Sequence, residues 1–376
     1  MYKVLTLNKI SPIGTDCLNK DKYEILNECD SPDGILLRSF DMHDYELPKS
    51  LLAIGRAGAG TNNIPSAKCS EKGIVVFNTP GANANAVKEL VICGLLLSSR
   101  KVVQGINWAN SLKGQTGVAA TVEKGKGEFV GPEIMGKKLG VIGLGAIGML
   151  VANAACALGM QVVGYDPHLS EEKAKKLSKD VKVVADLDEI VTTSDYISLH
   201  VPLLDATKYM FNDEMFNKVK KSLKLLNFSR GELVCNDAVK KAIKDGKVSS
   251  YVIDFPTEEI IDVDGIIPIP HLGASSPESE ENCAYMAAMQ LKDYIEFGNI
   301  KNSVNFANCE LEYTGKKRIC VLTKGEALKK LDNVLVSKFA NSQKGEFGYS
   351  IFDIDEEVVD ISAIEAIEGV IKVRVI

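Results

Sequence analysis

Lys138-Leu139-Gly140-Val141-Ile142-Gly143-Leu144-Gly145-Ala146-Ile147-Gly148 runs an apolar segment of strand character into a glycine triplet. A small-residue, helix-like stretch, Met149–Leu158, leaves the triplet, and a second apolar run, Gln161–Gly164, ends in Tyr165-Asp166. A strand, Gly-x-Gly-x-x-Gly, a helix, a strand and an acid about 20 residues on together form a dinucleotide-binding fingerprint. Gly143 permits the tight turn, Gly145 lets the backbone approach a pyrophosphate, and Gly148 allows close helix–strand packing. The anion then rests on the free amides of the helix start, Ala146 and Ile147 among them. Asp166 is placed to accept hydrogen bonds from the adenosine ribose, and its charge repels a 2′-phosphate. NAD is therefore expected rather than NADP.

The bulk properties bound what surrounds this unit. A chain of 376 residues is long enough for two or three domains with separate cores. With 45% hydrophobic and 25% charged residues, it reads as a soluble globular protein. A net charge of −6 argues against affinity for phosphate backbones, so no nucleic-acid partner is expected. The nine cysteines include no Cys-x-x-Cys pair, which points to reduced thiols and to neither a disulfide framework nor a metal site. The start, MYKVLTLNKI, lacks an apolar leader core, and no run is long enough to span a bilayer. A cytoplasmic protein without membrane partners is expected.

Upstream of the fingerprint, short apolar runs alternate with helix-like segments: Lys3–Leu7, Tyr23–Leu26, Gly34–Arg38, Leu51–Ile54 and Ile74–Phe77. Such alternation implies a parallel sheet covered on both faces, with ligands at the strand ends. One such end reads Gly55-Arg56-Ala57-Gly58-Ala59-Gly60-Thr61-Asn62-Asn63, where glycines expose amides and Arg56 offers a fork for phosphate or carboxylate. Ala84–Ser99 reads as a long crossover helix, and Gly114–Gly131 as a solvated loop.

Downstream, strands are expected at Lys182–Val184, Tyr196–His200, Leu225–Phe228 and Tyr251–Asp254, and a helix from Ser275-Ser276-Pro277 to about Phe297 returns the chain to the first domain. The last unit predicts strands at Arg318–Thr323, Gly348–Ile354 and Val370–Ile376 and helices at Glu326–Leu331 and Ile361–Ile367, a ferredoxin-like order.

Four histidines narrow the search for a proton carrier. His43 lies in a polar segment and His168 follows the ribose-reading Asp166; His200 and His271 close strands on the ligand side. Histidine suits proton transfer because its ordinary pKa, about 6.5, lies near working pH. Glu258 or Glu259, on the preceding strand-end loop, supplies a carboxylate to fix its tautomer, and Arg230 offers a bidentate clamp for a substrate carboxylate.

Val141–Gly148, Asn227–Gly231, Asp254–Glu258 and Pro270-His271-Leu272-Gly273 resemble the signatures of the D-isomer-specific 2-hydroxyacid dehydrogenases. Gly55–Asn63, Asn78–Asn83, His271–Glu278 and Asn299–Phe306 are similar to members that oxidise 3-phospho-D-glycerate. Lys344–Tyr349 and Gly369–Arg374 resemble a small-molecule-binding ACT domain.

The resemblance implies two doubly wound parallel-sheet α/β domains plus a small C-terminal ferredoxin-like α+β domain. A Rossmann-type NAD domain (residues 93–274) is inserted in a flavodoxin-like substrate domain (1–92 and 275–306), and an ACT-like domain follows (309–376). It implies His271 as acid/base, Glu258 as its partner and Arg230 as clamp. Arg56, Ala57, Gly58 and Asn85 meet the substrate. His200, Val201, Pro202, Ser229, Asp254 and Gly273 join the glycine loop around NAD.

The implied reaction is NAD-dependent oxidation of a small anionic 2-hydroxy acid by a homodimer or homotetramer. A reductase of glyoxylate or hydroxypyruvate, and a non-catalytic NAD sensor, are the alternatives. In the Asp254-Phe255-Pro256-Thr257-Glu258-Glu259 string the spacing from Asp254 selects Glu259, whereas Phe-Pro-Thr-Glu selects Glu258. The ACT-like unit reads as short before Lys344, and Thr323-Lys324-Gly325-Glu326 replaces the family's Asn/Gly-Pro turn, so weak or absent serine inhibition is expected.

Overall fold

A computed structural model of the chain describes residues 1–331, 338–354 and 360–376. Two compact units emerge, Met1–Asn83 with Pro277–Ile376, and Ala84–Ser276. In the first, strands β1 (Tyr2–Leu7), β2 (Tyr23–Leu26), β3 (Gly34–Leu37), β4 (Ala53–Arg56) and β5 (Val75–Phe77) pair in parallel in the order β2-β1-β3-β4-β5. That is the flavodoxin-like order. All four residues of β3 are buried, as a strand covered on both faces requires.

The second unit holds β6 (Lys138–Ile142), β7 (Gln161–Tyr165), β8 (Val181–Val184), β9 (Tyr196–Leu199), β10 (Leu223–Asn227), β11 (Val248–Ile253) and β12 (Ile266–Pro268). They form one parallel sheet in the order β12-β11-β10-β9-β6-β7-β8. The strand order reverses beside β6, so the glycine loop leaving β6 and the loop leaving β9 face the switch point where α/β sheets bind ligands. The helix Ala84–Arg100 lies against this sheet by Val87, Val91 and Leu95, and Gly94 gives room to the Phe228 ring.

The C-terminal strands β13 (Lys317–Lys324), β14 (Lys338–Lys344), β15 (Phe347–Ile354) and β16 (Val370–Val375) form an antiparallel sheet in the order β14-β15-β13-β16. With helices Ala327–Leu331 and Ile361–Glu365 this is the ferredoxin-like arrangement. One face packs its own helices through Ile319, Val321, Phe352 and Ile364. The other face sets Cys320, Leu322, Tyr349 and Ile351 into the same apolar core as Val4, Leu36, Phe77 and Tyr294. The ACT-like sheet and the five-stranded sheet therefore share a core.

Two arginines fasten that junction. Arg374 donates to the carbonyls of Tyr294 (3.2 Å) and Ile295 (2.8 Å), and Arg318 to that of Phe297 (2.6 Å). All three carbonyls belong to the last turn of helix Pro277–Phe297, at the negative end of its dipole, and that of Tyr294 also accepts from the Gly298 amide at 2.9 Å. Arg318 is itself fully buried and pairs bidentately with Asp353 at 2.6 and 3.0 Å.

Three expectations change. Over Gly114–Gly131 the structure has a helix, Val118–Gly125, and a 3-10 turn, Lys126–Phe129, after a separate helix Val102–Ser111. No residue of these elements is buried, so periodicity gave no signal; the Trp108 and Phe129 rings, 5.2 Å apart, hold them together. The strand expected at Leu51–Ile54 is Ala53–Arg56, which makes Arg56 the strand's last residue. Before Lys344 lies a full edge strand, β14, pairing with β15 from Lys338 to Lys344. Its polar sequence hides it, because an edge strand needs no continuous apolar face. Among the described residues no helix is long and apolar enough to cross a membrane, and the nine cysteines are unpaired.

Candidate active site

The glycine loop has the shape that a dinucleotide needs. Gly143 has φ +92°, and a Cβ there would lie 2.5 Å from the His200 carbonyl oxygen. A Cβ on Gly148 would overlap the Gly143 carbonyl. A Cβ on Gly145 would meet nothing within 4 Å, so the backbone there borders open space. Two glycines are thus required by packing and the third leaves room, which fits a pyrophosphate seated at the start of helix Ala146–Ala157.

Asp166 holds this loop in place. Its Oδ2 accepts from the Leu144 amide at 2.9 Å and its Oδ1 from the His168 amide at 2.8 Å. The carboxylate expected to read a ribose thus also ties β7 to the loop after β6. His200 lies beneath the loop: its Nε2 meets Ser198 Oγ at 2.8 Å, and Nδ1 is buried without a partner. Burial pushes its pKa down to about 4, so the ring is neutral at working pH. Its contribution to the loop is the carbonyl that Gly143 packs against, with Val201 beside it and Pro202 exposed.

Beyond β10, Asn227 shapes the turn that presents Arg230. Its buried amide donates to the Arg230 carbonyl at 2.9 Å and to Tyr251 OH at 3.3 Å, and its Oδ1 accepts from the Ser229 amide at 3.2 Å. Ser229 Oγ donates to the Leu199 carbonyl at 2.8 Å, which joins the ends of β9 and β10. The sequence reading took Asn227 only as part of a motif. A carboxamide ending a strand that is apolar but for Lys224 is the signal that marks it.

The strand ends bring Arg230 and His271 to one aromatic ring. Phe255 lies 4.4 Å from His271 between ring centroids, and the Arg230 guanidinium lies 5.7 Å from the Phe255 centroid. Glu259 accepts from Asn236 Nδ2 at 2.8 Å, and Glu258 is exposed beside it. Asp254 is 1% exposed, has Oδ1 unpaired, and packs near Gly273. Burial raises its carboxyl to about pKa 7 against the pull of Arg230. Asn85, also in this unit, donates to Glu89 at 2.9 Å.

In the other unit, Arg56 ends β4 opposite Leu37 of β3 and folds its guanidinium over Gly58, where a Cβ would collide with it. Arg56 Nε donates to the Arg38 carbonyl at 3.1 Å. The amides of Ala57 and Gly58 donate to the carbonyls of Leu37 (2.7 Å) and Arg56 (2.9 Å), so they are not open to a ligand as expected from the sequence. What the sequence reading missed is Arg38, which follows β3 as Arg56 closes β4; its guanidinium pairs with Glu280. His43 pairs with Asp41 at 2.6 Å on the surface.

Residues 94–275 match the model of the NAD-binding domain of the D-isomer-specific 2-hydroxyacid dehydrogenases. The chain is 33% identical over 307 residues to D-3-phosphoglycerate dehydrogenase of Methanocaldococcus jannaschii, covering 78% of this chain and 56% of that one. It is 32% identical over 300 residues to the Homo sapiens enzyme of the same name, covering 76% and 53%. The chain thus spans about half the length of these curated relatives. NAD+-bound 3-phosphoglycerate dehydrogenase from Entamoeba histolytica superposes with TM-score 0.62 at 26% identity, over 81% of this chain and 98% of that one. D-mandelate dehydrogenase of Rhodotorula graminis shares the fold, with TM-score 0.68 at 22% identity over 81% and 97%.

Proposed function

This chain belongs to the D-isomer-specific 2-hydroxyacid dehydrogenase family, and on that premise we propose that it oxidises 3-phospho-D-glycerate to 3-phosphooxypyruvate with NAD, the entry reaction of phosphorylated serine synthesis. The observation that carries the proposal is the convergence of Arg230 and His271 on the Phe255 ring, in the same unit as the glycine loop. In that reading NAD supplies the hydride acceptor, with Gly145 and the amides of Ala146 and Ile147 at its pyrophosphate and Asp166 at its ribose.

The chain's own groups then divide the remaining work. Arg230 clamps the carboxylate beside the reacting carbon and polarises the C2 oxygen. His271 takes the C2 hydroxyl proton, and Glu258, or Glu259 in the alternative spacing, fixes the imidazole tautomer. Asp254 and Gly273 face the nicotinamide carboxamide. Arg56 and Arg38 take the substrate's anionic group, a task suited to two guanidiniums at adjacent strand ends.

The test is a panel of D-2-hydroxy acids followed by NADH absorbance. The expected result is that kcat/KM is highest for 3-phosphoglycerate and that His271→Ala loses on the order of 10²–10⁴-fold in turnover. Faster turnover of glyoxylate or hydroxypyruvate than of phosphorylated acids would move the assignment to a reductase. Tight NADH binding without turnover of any acid would make the chain a sensor.

A further inference from the structure

Glu280 sits where an incoming anion would sit. Helix Pro277–Phe297 crosses β3 and β4 because glycines there make room for it: a Cβ on Gly55 would lie 3.1 Å from the Ala287 carbonyl oxygen, and one on Gly34 2.9 Å from the Leu291 side chain. That packing fixes the helix against the two strands, and Glu280, in the helix's first turn, pairs with Arg38. Arg38 in turn receives Arg56 Nε on its carbonyl at 3.1 Å and Asn63 Nδ2 at 3.3 Å. If Arg38 and Arg56 at these neighbouring strand ends serve as an anion seat, a carboxylate of the chain itself, from a helix start, already pairs with Arg38.

We propose that Glu280 is a resident counter-ion of this seat, displaced from Arg38 when an external anion binds, and that it sets the affinity for anionic substrates. The proposal rests on the reading of Arg38 and Arg56 as the substrate's anion site. A bound phosphate or carboxylate has to break the Arg38–Glu280 pair and then tolerate a like charge beside it. Glu280 thereby weakens anion binding and lets product leave. The neutral isostere Gln keeps the side chain's size and removes both effects.

Isothermal titration of inorganic phosphate into the full chain tests this without any turnover. Glu280→Gln is expected to bind phosphate about 2–5-fold more tightly than the parent, the scale of a partly exposed ion pair, and the gain should shrink as sodium chloride is raised. In the Arg38→Met background the same substitution should give no gain. In turnover the gain falls on KM for the anionic acid. Weaker phosphate binding by Glu280→Gln would mean that Glu280 only orients Arg38, and would overturn the proposal. Unchanged binding, no phosphate binding by either form, or a gain that survives Arg38→Met would overturn it as well. If phosphate binding tightens as expected while no hydroxy acid is turned over, the proposed reaction fails and the counter-ion role stands. If acids are turned over and phosphate affinity does not change, the reverse holds.

Discussion

The imidazole of His271 lies against the ring of Phe255, with centroids 4.4 Å apart and planes at 46°. The same ring carries the Arg230 guanidinium, 5.7 Å from its centroid. Two groups from separate strand ends are thus set relative to each other by one side chain that does no chemistry. An aromatic contact contributes about 0.5–1.5 kcal/mol beyond its buried area, and a cation–π contact about 0.5–1. Phe255→Leu is therefore expected to lower kcat about 3–30-fold while leaving NADH affinity within about twofold, as read by steady-state kinetics and fluorescence titration. A kcat equal to that of the parent would show that His271 and Arg230 are held by other contacts.

Asp254 trades stability for position. Its folded pKa, about 7, lies above its ordinary 3.8, because burial disfavours the charged form. Below pH 3.8 the group is protonated whether folded or not; between 3.8 and 7 the folded state binds more protons. Stability contributed by this group therefore falls as pH rises through that window, by up to roughly 4 kcal/mol above pH 7 at about 1.4 kcal/mol per unit. Asp254→Asn is expected to raise Tm at pH 8 and to leave it unchanged at pH 4, while activity drops. Equal shifts at both pH values would locate the effect in packing.

His200 has the opposite sign. Burial takes its pKa from 6.5 to about 4, so between those values the unfolded chain binds the extra proton. Its contribution is fully present above pH 6.5 and is lost as pH falls towards 4, roughly 3 kcal/mol in all. Urea unfolding at pH 7.5 and 4.5 should show that His200→Gln loses less stability on acidification than the parent. Parallel losses in the two proteins would place the acid sensitivity elsewhere.

Asp166 touches two things at once, the loop amide of Leu144 and, in the proposed function, the ribose. Asp166→Ala should raise the NADP/NAD ratio of kcat/KM and also weaken NAD binding, because the loop loses a charge-assisted hydrogen bond worth about 1.5–3 kcal/mol. A weakened but unaltered ratio would leave the carboxylate with the loop role alone.

The parallel sheets, the glycine loop and the strand ends were legible in the sequence because each follows from a local rule: buried strands are continuous apolar runs, and a helix start that approaches a strand demands glycine. Local composition also marked Arg56, Arg230 and His271 as polar residues closing apolar strands. The hairpin of short helices around Trp108 was not legible, since neither helix buries a residue and the Trp108–Phe129 stack that joins them links rings distant in sequence. Nor was β14, a polar edge strand defined only by its partner.

Tertiary structure alone decided three further matters. It set Phe255 against both Arg230 and His271, put Glu280 on Arg38, and sank the ACT-like sheet into the core of the five-stranded sheet with Arg318 and Arg374 capping helix Pro277–Phe297. The physical reason is common to all three. Chain spacing fixes what a residue is and which way its strand or helix points, whereas a pair of charges or rings far apart in sequence meets only when packed backbones set the distance between them.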